Sequence, residues 1–213
     1  MEILESLEVR WFLQSHSSVE AALAKWFGST RDEGDRVDQY LATGRSDLSF
    51  KARLATGKPA KVETKYLVGS LGSVDLAPGM SGDLERWTKL SLALTDPELQ
   101  QQGVWLALTK KRQLRKFAVA LSPAAAATEV SADAFPAIGC GVELTRLDYS
   151  IEGKAAVEWT FGLEAFGPKA QLLEVLQATV RAITAQAGLP ELPAARSASY
   201  ATWLLSKIGH PSA

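Results

Sequence analysis

Charged and apolar residues alternate at period two along much of this chain, and that pattern decides what it can fold into. Leu7, Val9, Trp11 and Leu13 share one face of an extended segment while Glu8 and Arg10 share the other. Leu48, Phe50, Ala52 and Leu54 alternate in the same way with Lys51 and Arg53, and Val62, Thr64 and Tyr66 with Lys61, Glu63 and Lys65. Leu106, Leu108 and Lys110 lead to Arg112 on one face, Glu143 lies two residues before Thr145, and Glu164 stands between Leu163 and Ala165. Period two is the signature of β-strands with two unlike faces. The spacing predicts strands over 4–13, 36–41, 46–55, 60–68, 84–93, 103–111, 114–121, 140–150 and 156–166, with turns at Thr56–Pro59, Gly69–Gly72 and Ile151–Lys154. So large an antiparallel sheet escapes exposed edges by closing on itself.

Three segments carry helical spacing instead. Ser17-Ser18-Val19-Glu20 has the form of a capping box and opens a helix over 17–27. Leu172, Leu173, Leu176, Val180 and Ile183 form an apolar stripe over 170–187, and Tyr200, Trp203 and Leu204 mark a short helix from about 199 to 207. A single helical turn is expected at Thr95–Glu98, and the Ala- and Pro-rich stretch 122–139 reads as a connector. The expected architecture is α+β, one domain over 1–213: an antiparallel β-barrel of about eight or nine strands with flanking helices.

The faces opposite the apolar ones hold full charges, with few Ser or Thr. If the helices cover the outside of a barrel, the charged face becomes its lumen. Repeated Lys and Arg on that face suit a polyanion, since guanidinium offers bidentate contacts and ammonium a compact charge. Carboxylates among them are hard oxygen ligands of the kind Mg²⁺ or Mn²⁺ prefers. Phosphoryl transfer asks for positioning and charge stabilisation and needs no histidine or thiol. That matters here, because the histidines are His16 and His210 and the one cysteine is Cys140. A disulfide within the chain and a cysteine-rich zinc site are therefore excluded.

The overall charge is nearly balanced, 23 Lys and Arg against 24 Asp and Glu, so no broad nucleic-acid or polybasic membrane footprint is expected. Lys110-Lys111-Arg112 with Arg115-Lys116 could form a small local patch for nucleic acid. The acidic opening Met1-Glu2-Ile3-Leu4-Glu5 lacks the form of a secretory signal, and a cytoplasmic location is expected. Cys140 is expected as a small buried residue, His16 as loop or helix-cap material, and Trp11, Trp105 and Trp159 as core.

These residues resemble the CYTH superfamily, the triphosphate tunnel metalloenzymes, which includes thiamine triphosphatases, inorganic triphosphatases and class IV adenylyl cyclases. The resemblance is carried, in order, by Ser6-Leu7-Glu8-Val9-Arg10 against the family's Glu-x-Glu-x-Lys strand, then Arg36–Leu41, Lys51-Ala52-Arg53 and Glu63-Thr64-Lys65. Lys110-Lys111-Arg112 with Arg115, Glu143-Leu144-Thr145, Glu164 and the ending Ser199-Tyr200 complete it. It implies a triphosphate-containing ligand, inorganic triphosphate, thiamine triphosphate or a nucleotide, hydrolysed with Mg²⁺ or Mn²⁺. Glu8, Glu143 and Glu164 would hold metal. Arg10, Lys51, Arg53, Lys65, Lys110 and Arg112 would contact phosphates, and Glu63 would be catalytic, orienting a base or adding a ligand. The chain departs from the pattern at Ser6 and Phe166, where the family has acidic residues, and at Arg10, where it has Lys. The alternative is a non-catalytic phosphate- or nucleotide-binding module with a degenerate metal site. A lipocalin-like barrel for an apolar ligand would need an apolar lumen instead.

Overall fold

The computed structural model describes residues 2–28, 32–54, 61–93, 104–122 and 124–209. Nine strands occur among them: β1 (Glu2–Gln14), β2 (Asp32–Leu41), β3 (Leu48–Leu54), β4 (Lys61–Ala77), β5 (Met80–Ala93), β6 (Trp105–Ala120), β7 (Ala126–Val130), β8 (Gly139–Ile151) and β9 (Lys154–Phe166). Three α-helices accompany them: α1 (Ser18–Phe27), α2 (Leu172–Thr184) and α3 (Tyr200–Ile208). The strands follow the order β2-β3-β4-β5-β1-β9-β8-β6, and β6 pairs back onto β2. All these pairings are antiparallel, so eight strands form a closed barrel, with β7 added beside the far end of β6.

The two strand faces have the assignments that the alternation requires. Leu7, Val9, Trp11 and Leu13 point outward and are buried beneath α1 and α2, in a core with Phe161, Leu163, Leu172, Leu176 and Ile183. Fully burying each such side chain is worth about 1.5–3 kcal/mol. Ser17 caps α1 by accepting from the Glu20 amide at 3.1 Å, while the Glu20 carboxylate reaches back to the amide of His16 rather than to that of Ser17. His16 is exposed with φ 58°, in the turn just before the Ser17 cap.

Three boundaries differ from the sequence expectation. Gly69–Gly72 is no turn. β4 runs through it with register shifts at Leu67/Gly69 and Ser70/Gly72, and the chain reverses at Pro78–Gly79, where Gly79 takes φ 76°. Bulges absorb the extra residues without ending the ladder. The expected strands 103–111 and 114–121 are one, β6. The run Lys110-Lys111-Arg112-Gln113 hides its continuity because both faces are polar there, with Lys110 and Arg112 inside. The connector 122–139 contains β7. Thr56–Pro59, Thr95–Glu98 and His210 lie outside the described residues.

A second core closes one end of the barrel. Tyr200, Trp203 and Leu204 of α3 pack on Phe12, Tyr40, Leu106, Leu108, Leu147 and Tyr149. Trp203 stacks on Phe12 with ring centroids 5.1 Å apart. Glu158 anchors the helix, accepting from Trp203 Nε1 at 2.8 Å and Tyr149 Oη at 2.9 Å, and pairing with Lys207. The chain reaches α3 through residues 197–198, which bond to β1 and β5 beyond the point where those two strands part. The Ala198 amide donates to Arg10 O at 3.0 Å, and Ser197 Oγ accepts from the Asp83 amide at 2.9 Å.

Candidate functional site

The lumen is a polar cavity of about 190 Å³, and every strand of the closed barrel places at least one charged side chain on it. All ten residues singled out from the sequence line this one cavity: Glu8 and Arg10 from β1, Lys51 and Arg53 from β3, Glu63 and Lys65 from β4, Lys110 and Arg112 from β6, Glu143 from β8 and Glu164 from β9. Arg36, Asp83, Glu85 and Lys89 join them, giving eight basic against six acidic lining side chains.

The charges are arranged as paired clusters. Asp38, wholly buried, lies 3.3 Å from Arg36, 3.4 Å from Lys51, 3.3 Å from Arg53 and 3.3 Å from Lys110. Burial alone would push its carboxyl up, but Lys51, Lys110, Arg36 and Arg53 together hold it well below the usual carboxylate range. Glu63 is bound by Lys51 at 3.0 Å and Arg53 at 2.8 Å. Burial opposes its ionisation, yet these cations bring its pKa down to about 2. Lys51 and Arg53 are therefore held from both sides, by Asp38 and by Glu63, and presented to the lumen as a fixed pair of donors.

Lys110 sits deeper, 2% exposed, donating to Tyr40 Oη at 2.8 Å with its Nζ 3.9 Å from the centre of the Tyr200 ring. Burial shifts its ammonium toward neutrality, opposed by Tyr40 and Asp38. It braces Asp38 and the aromatic end wall, and presents almost none of its surface to the cavity.

A third cluster spans β1, β9, β8 and β6. Arg10 donates to Glu143 Oε1 at 3.1 Å and Thr160 Oγ1 at 2.9 Å, and Arg112 donates to Glu143 Oε2 at 3.0 Å. Burial raises the Glu143 carboxyl, but Arg10 and Arg112 outweigh it and hold the group well below its ordinary range. Register explains how Arg10 reaches across. Gly162 of β9 stands directly between Arg10 and Glu143, and a Cβ there would lie 2.8 Å from the Arg10 guanidinium carbon. Only a bare backbone leaves that path open. The obstructed atoms are the end of a flexible side chain, but moving them breaks the Arg10 bonds to Glu143 and Thr160, so Gly162→Ala is expected to lower the unfolding free energy by about 1–3 kcal/mol. It should weaken any anion bound beside Arg10 by roughly tenfold, about the loss of one charge-assisted hydrogen bond. Calorimetric titration with tripolyphosphate checks this, and an unchanged affinity would detach Arg10 from the ligand.

Lys65 joins the remaining carboxylates. Its ammonium is 2.6 Å from Glu8 Oε1 and 3.6 Å from Glu164 Oε1. Glu85, Glu8 and Glu164 occupy directly paired positions on neighbouring strands. Burial pushes the Glu85 carboxyl up, against the bond from Trp87 Nε1, and the neighbouring Glu8 and Asp83 add to the rise. Lys89 differs from the other lumen cations in making no close ion pair among the described residues, although its charge helps to hold the Glu164 and Glu63 carboxyls down.

The carboxylates that the resemblance would assign to a metal do not come together as one. Among the described residues no three Asp, Glu, His or Cys side chains are gathered so that they could hold a metal ion. Glu143 gives both oxygens to arginines, and Glu8 Oε1 accepts from Lys65 and from Ser6 Oγ at 2.5 Å. Ser6 and Phe166, the two departures at acidic positions of the family pattern, are direct partners across β1 and β9, with Trp87 on the other side of Ser6. A hydroxyl and a phenyl ring stand where the resemblance would place further carboxylates.

The other candidates resolve differently. Arg115 points outward, paired with Glu129 at 2.8 and 2.5 Å and lying 3.9 Å over the Trp26 ring. With Lys110 and Arg112 inside, the basic run is split between two faces and forms no contiguous patch. Cys140 is fully buried, and burial pushes its thiol up to about 12. Trp11 and Trp159 belong to the helix-covered core, whereas Trp105 packs on Phe50, ring centroids 5.9 Å apart. No described helix is long and apolar enough to cross a membrane.

The closed antiparallel barrel, with one added strand and three helices, is the architecture the resemblance implies. The chain has an α+β tunnel fold. No family model matches its sequence, and no curated protein does. Among solved structures, the S. pombe Pct1 RNA triphosphatase is similar over 86% of this chain and 81% of that one, with TM-score 0.41 and 12% identity. At that distance the likeness carries no activity across.

Proposed function

We propose that the lumen binds a small molecule through a polyphosphate group, such as inorganic triphosphate, thiamine triphosphate or a nucleotide. The observation that carries this is convergence: charged donors from six of the eight barrel strands face one polar cavity, most of them held by carboxylates. Preorganised guanidinium and ammonium groups bind phosphate oxygens with little reorganisation. At about 190 Å³ the cavity is small beside the roughly 300–1,000 Å³ of drug-sized sites, and it suits a phosphate chain with any organic part outside. With α3 closing one end, the chain enters terminal phosphate first.

Metal-dependent hydrolysis is the activity that the resemblance implies. Arg10, Lys51, Arg53, Lys65 and Arg112 would then hold the phosphates, with Glu63 fixing two of them. The non-catalytic reading is favoured by the carboxylates, which are taken up by cations of the chain itself. Both readings require binding first, and thermal denaturation tests it.

At a hundred times its dissociation constant, tripolyphosphate should raise the melting temperature by roughly 5–10 °C, and orthophosphate by much less. Lys89→Met is the diagnostic variant. Having no close ion pair to lose, only longer-range attraction to Glu164 and Glu63, it should melt within a few degrees of the parent but bind tripolyphosphate roughly tenfold more weakly. If neither polyphosphates nor nucleotides move the melting temperature, the lumen is not a phosphate site.

A further inference from the structure

Three carboxylates of the lumen, Glu8, Glu143 and Glu164, are those that the family resemblance would give to a divalent cation, and each already faces a cation of the chain. Glu143 is clamped between Arg10 at 3.1 Å and Arg112 at 3.0 Å, one guanidinium on each oxygen. Metal bound there would have to displace two buried charge-assisted bonds. Glu8 and Glu164, partners across β1 and β9, have the Lys65 ammonium between them at 2.6 and 3.6 Å. Hard divalent ions need several oxygen ligands to offset their lost hydration, and affinity rises with the number and charge of those ligands. The next paired row along the same two strands supplies Ser6 and Phe166 instead of carboxylates, and Ser6 Oγ donates to Glu8 Oε1.

We propose that this lumen takes up its polyphosphate without a divalent cation, Lys65 serving as the internal counter-ion of Glu8 and Glu164. The proposal rests on the polyphosphate reading and adds how the ligand's charge is met. Positive charge that a metal would bring to the phosphates comes from fixed side chains. Lys65 bridges two carboxylates, offsetting one of their two charges, and leaves the remaining N–H capacity of its ammonium for a phosphate oxygen. Burial would lower the Lys65 pKa, but Glu164 and Glu8 outweigh it and keep the amine protonated.

The test is calorimetric titration of the full chain with tripolyphosphate, once in EDTA and once with Mg²⁺ or Mn²⁺ at matched free tripolyphosphate, beside a titration with Mn²⁺ alone. The expected result is a dissociation constant in EDTA within about threefold of that with metal, and no saturable Mn²⁺ binding to the free protein. Affinity at least tenfold higher with metal, or saturable Mn²⁺ binding that Glu8→Gln abolishes, would overturn the proposal while leaving the polyphosphate reading intact. Failure of tripolyphosphate to bind under both conditions would instead defeat the polyphosphate reading, and this proposal with it. A second variant probes Lys65 itself. Removing the ammonium in Lys65→Met takes the bridging cation from between Glu8 and Glu164, so Mn²⁺ should raise the melting temperature of this variant by several degrees and leave the parent unmoved. A variant as indifferent to Mn²⁺ as the parent would show that Lys65 is not the counter-ion.

Discussion

Asp38→Asn should lower the unfolding free energy by about 3–5 kcal/mol, the largest effect expected of any single lumen substitution. Asp38 has no exposed surface and stands within 3.4 Å of Arg36, Lys51, Arg53 and Lys110. A buried ion cluster need not stabilise a fold relative to an apolar one of the same shape. Removing only its anion is another matter, because four cations then share a low-dielectric site with one neutral amide. Against a typical domain stability of about 5–15 kcal/mol, that loss would be plain in a urea titration. A structural cause and a ligand-related cause predict different responses to tripolyphosphate. If Asp38 acts as the resident counter-charge for donors that otherwise meet phosphate, an added polyanion should replace part of it. The melting shift caused by tripolyphosphate should then be larger in Asp38→Asn than in the parent. A loss under 1 kcal/mol, or an equal shift in both proteins, would show that the four cations do not depend on this carboxylate.

Asp38 also marks where the sequence was legible and where it was not. Alternation alone separated the two faces of each strand, because one face had to meet α1 and α2 and the other the lumen. The charges at Lys51, Arg53, Glu63 and Lys65 thus declared their direction without any coordinates. What period two cannot convey is register. That Gly162 stands between Arg10 and Glu143, and Ser6 opposite Phe166, follows only once β1, β9 and β8 are aligned. Residues 150 positions apart become neighbours there, and no local spacing encodes it. Arg36 and Asp38 lay within a stretch already singled out, at alternate positions with Tyr40, and the same parity test would have placed them in the lumen. Glu85 and Lys89 share a face of β5 with Trp87 and were legible on the same grounds. The interruptions at Gly69–Gly72 and Lys111 misled for one reason. A bulge and a stretch that is polar on both faces each break alternation without breaking the ladder.

The carboxylate clusters set the shape of the acid limb of stability, and its steepness is the second large effect. Asp38, Glu63, Glu143 and Glu164 all titrate below the range of an unfolded carboxylate, despite the burial that works against them in each case. In the window between those folded values and about pH 4 the unfolded chain binds more protons, so stability rises with pH there. Each such group contributes stability that is fully present above the unfolded pKa and lost as pH falls through the folded one. For Glu63, held at about 2, that is about 3 kcal/mol. With Asp38 and Glu143 acting in the same direction, the barrel should lose more than about 5 kcal/mol between pH 5 and pH 2, enough to unfold an ordinary domain. Glu85 runs the other way. Its raised pKa gives stability that is present at low pH and lost as pH rises through the folded value, so it blunts the top of the limb only slightly. Urea titrations from pH 2 to pH 6 measure the whole curve, and Glu63→Gln should flatten it at the cost of a lower plateau. A stability that stays level from pH 5 down to pH 2, or a limb untouched by Glu63→Gln, would mean that the lumen cations are not paired in solution as they are here. The donors would then be free rather than preorganised, and the same deprotonated carboxylates would be available to a metal after all.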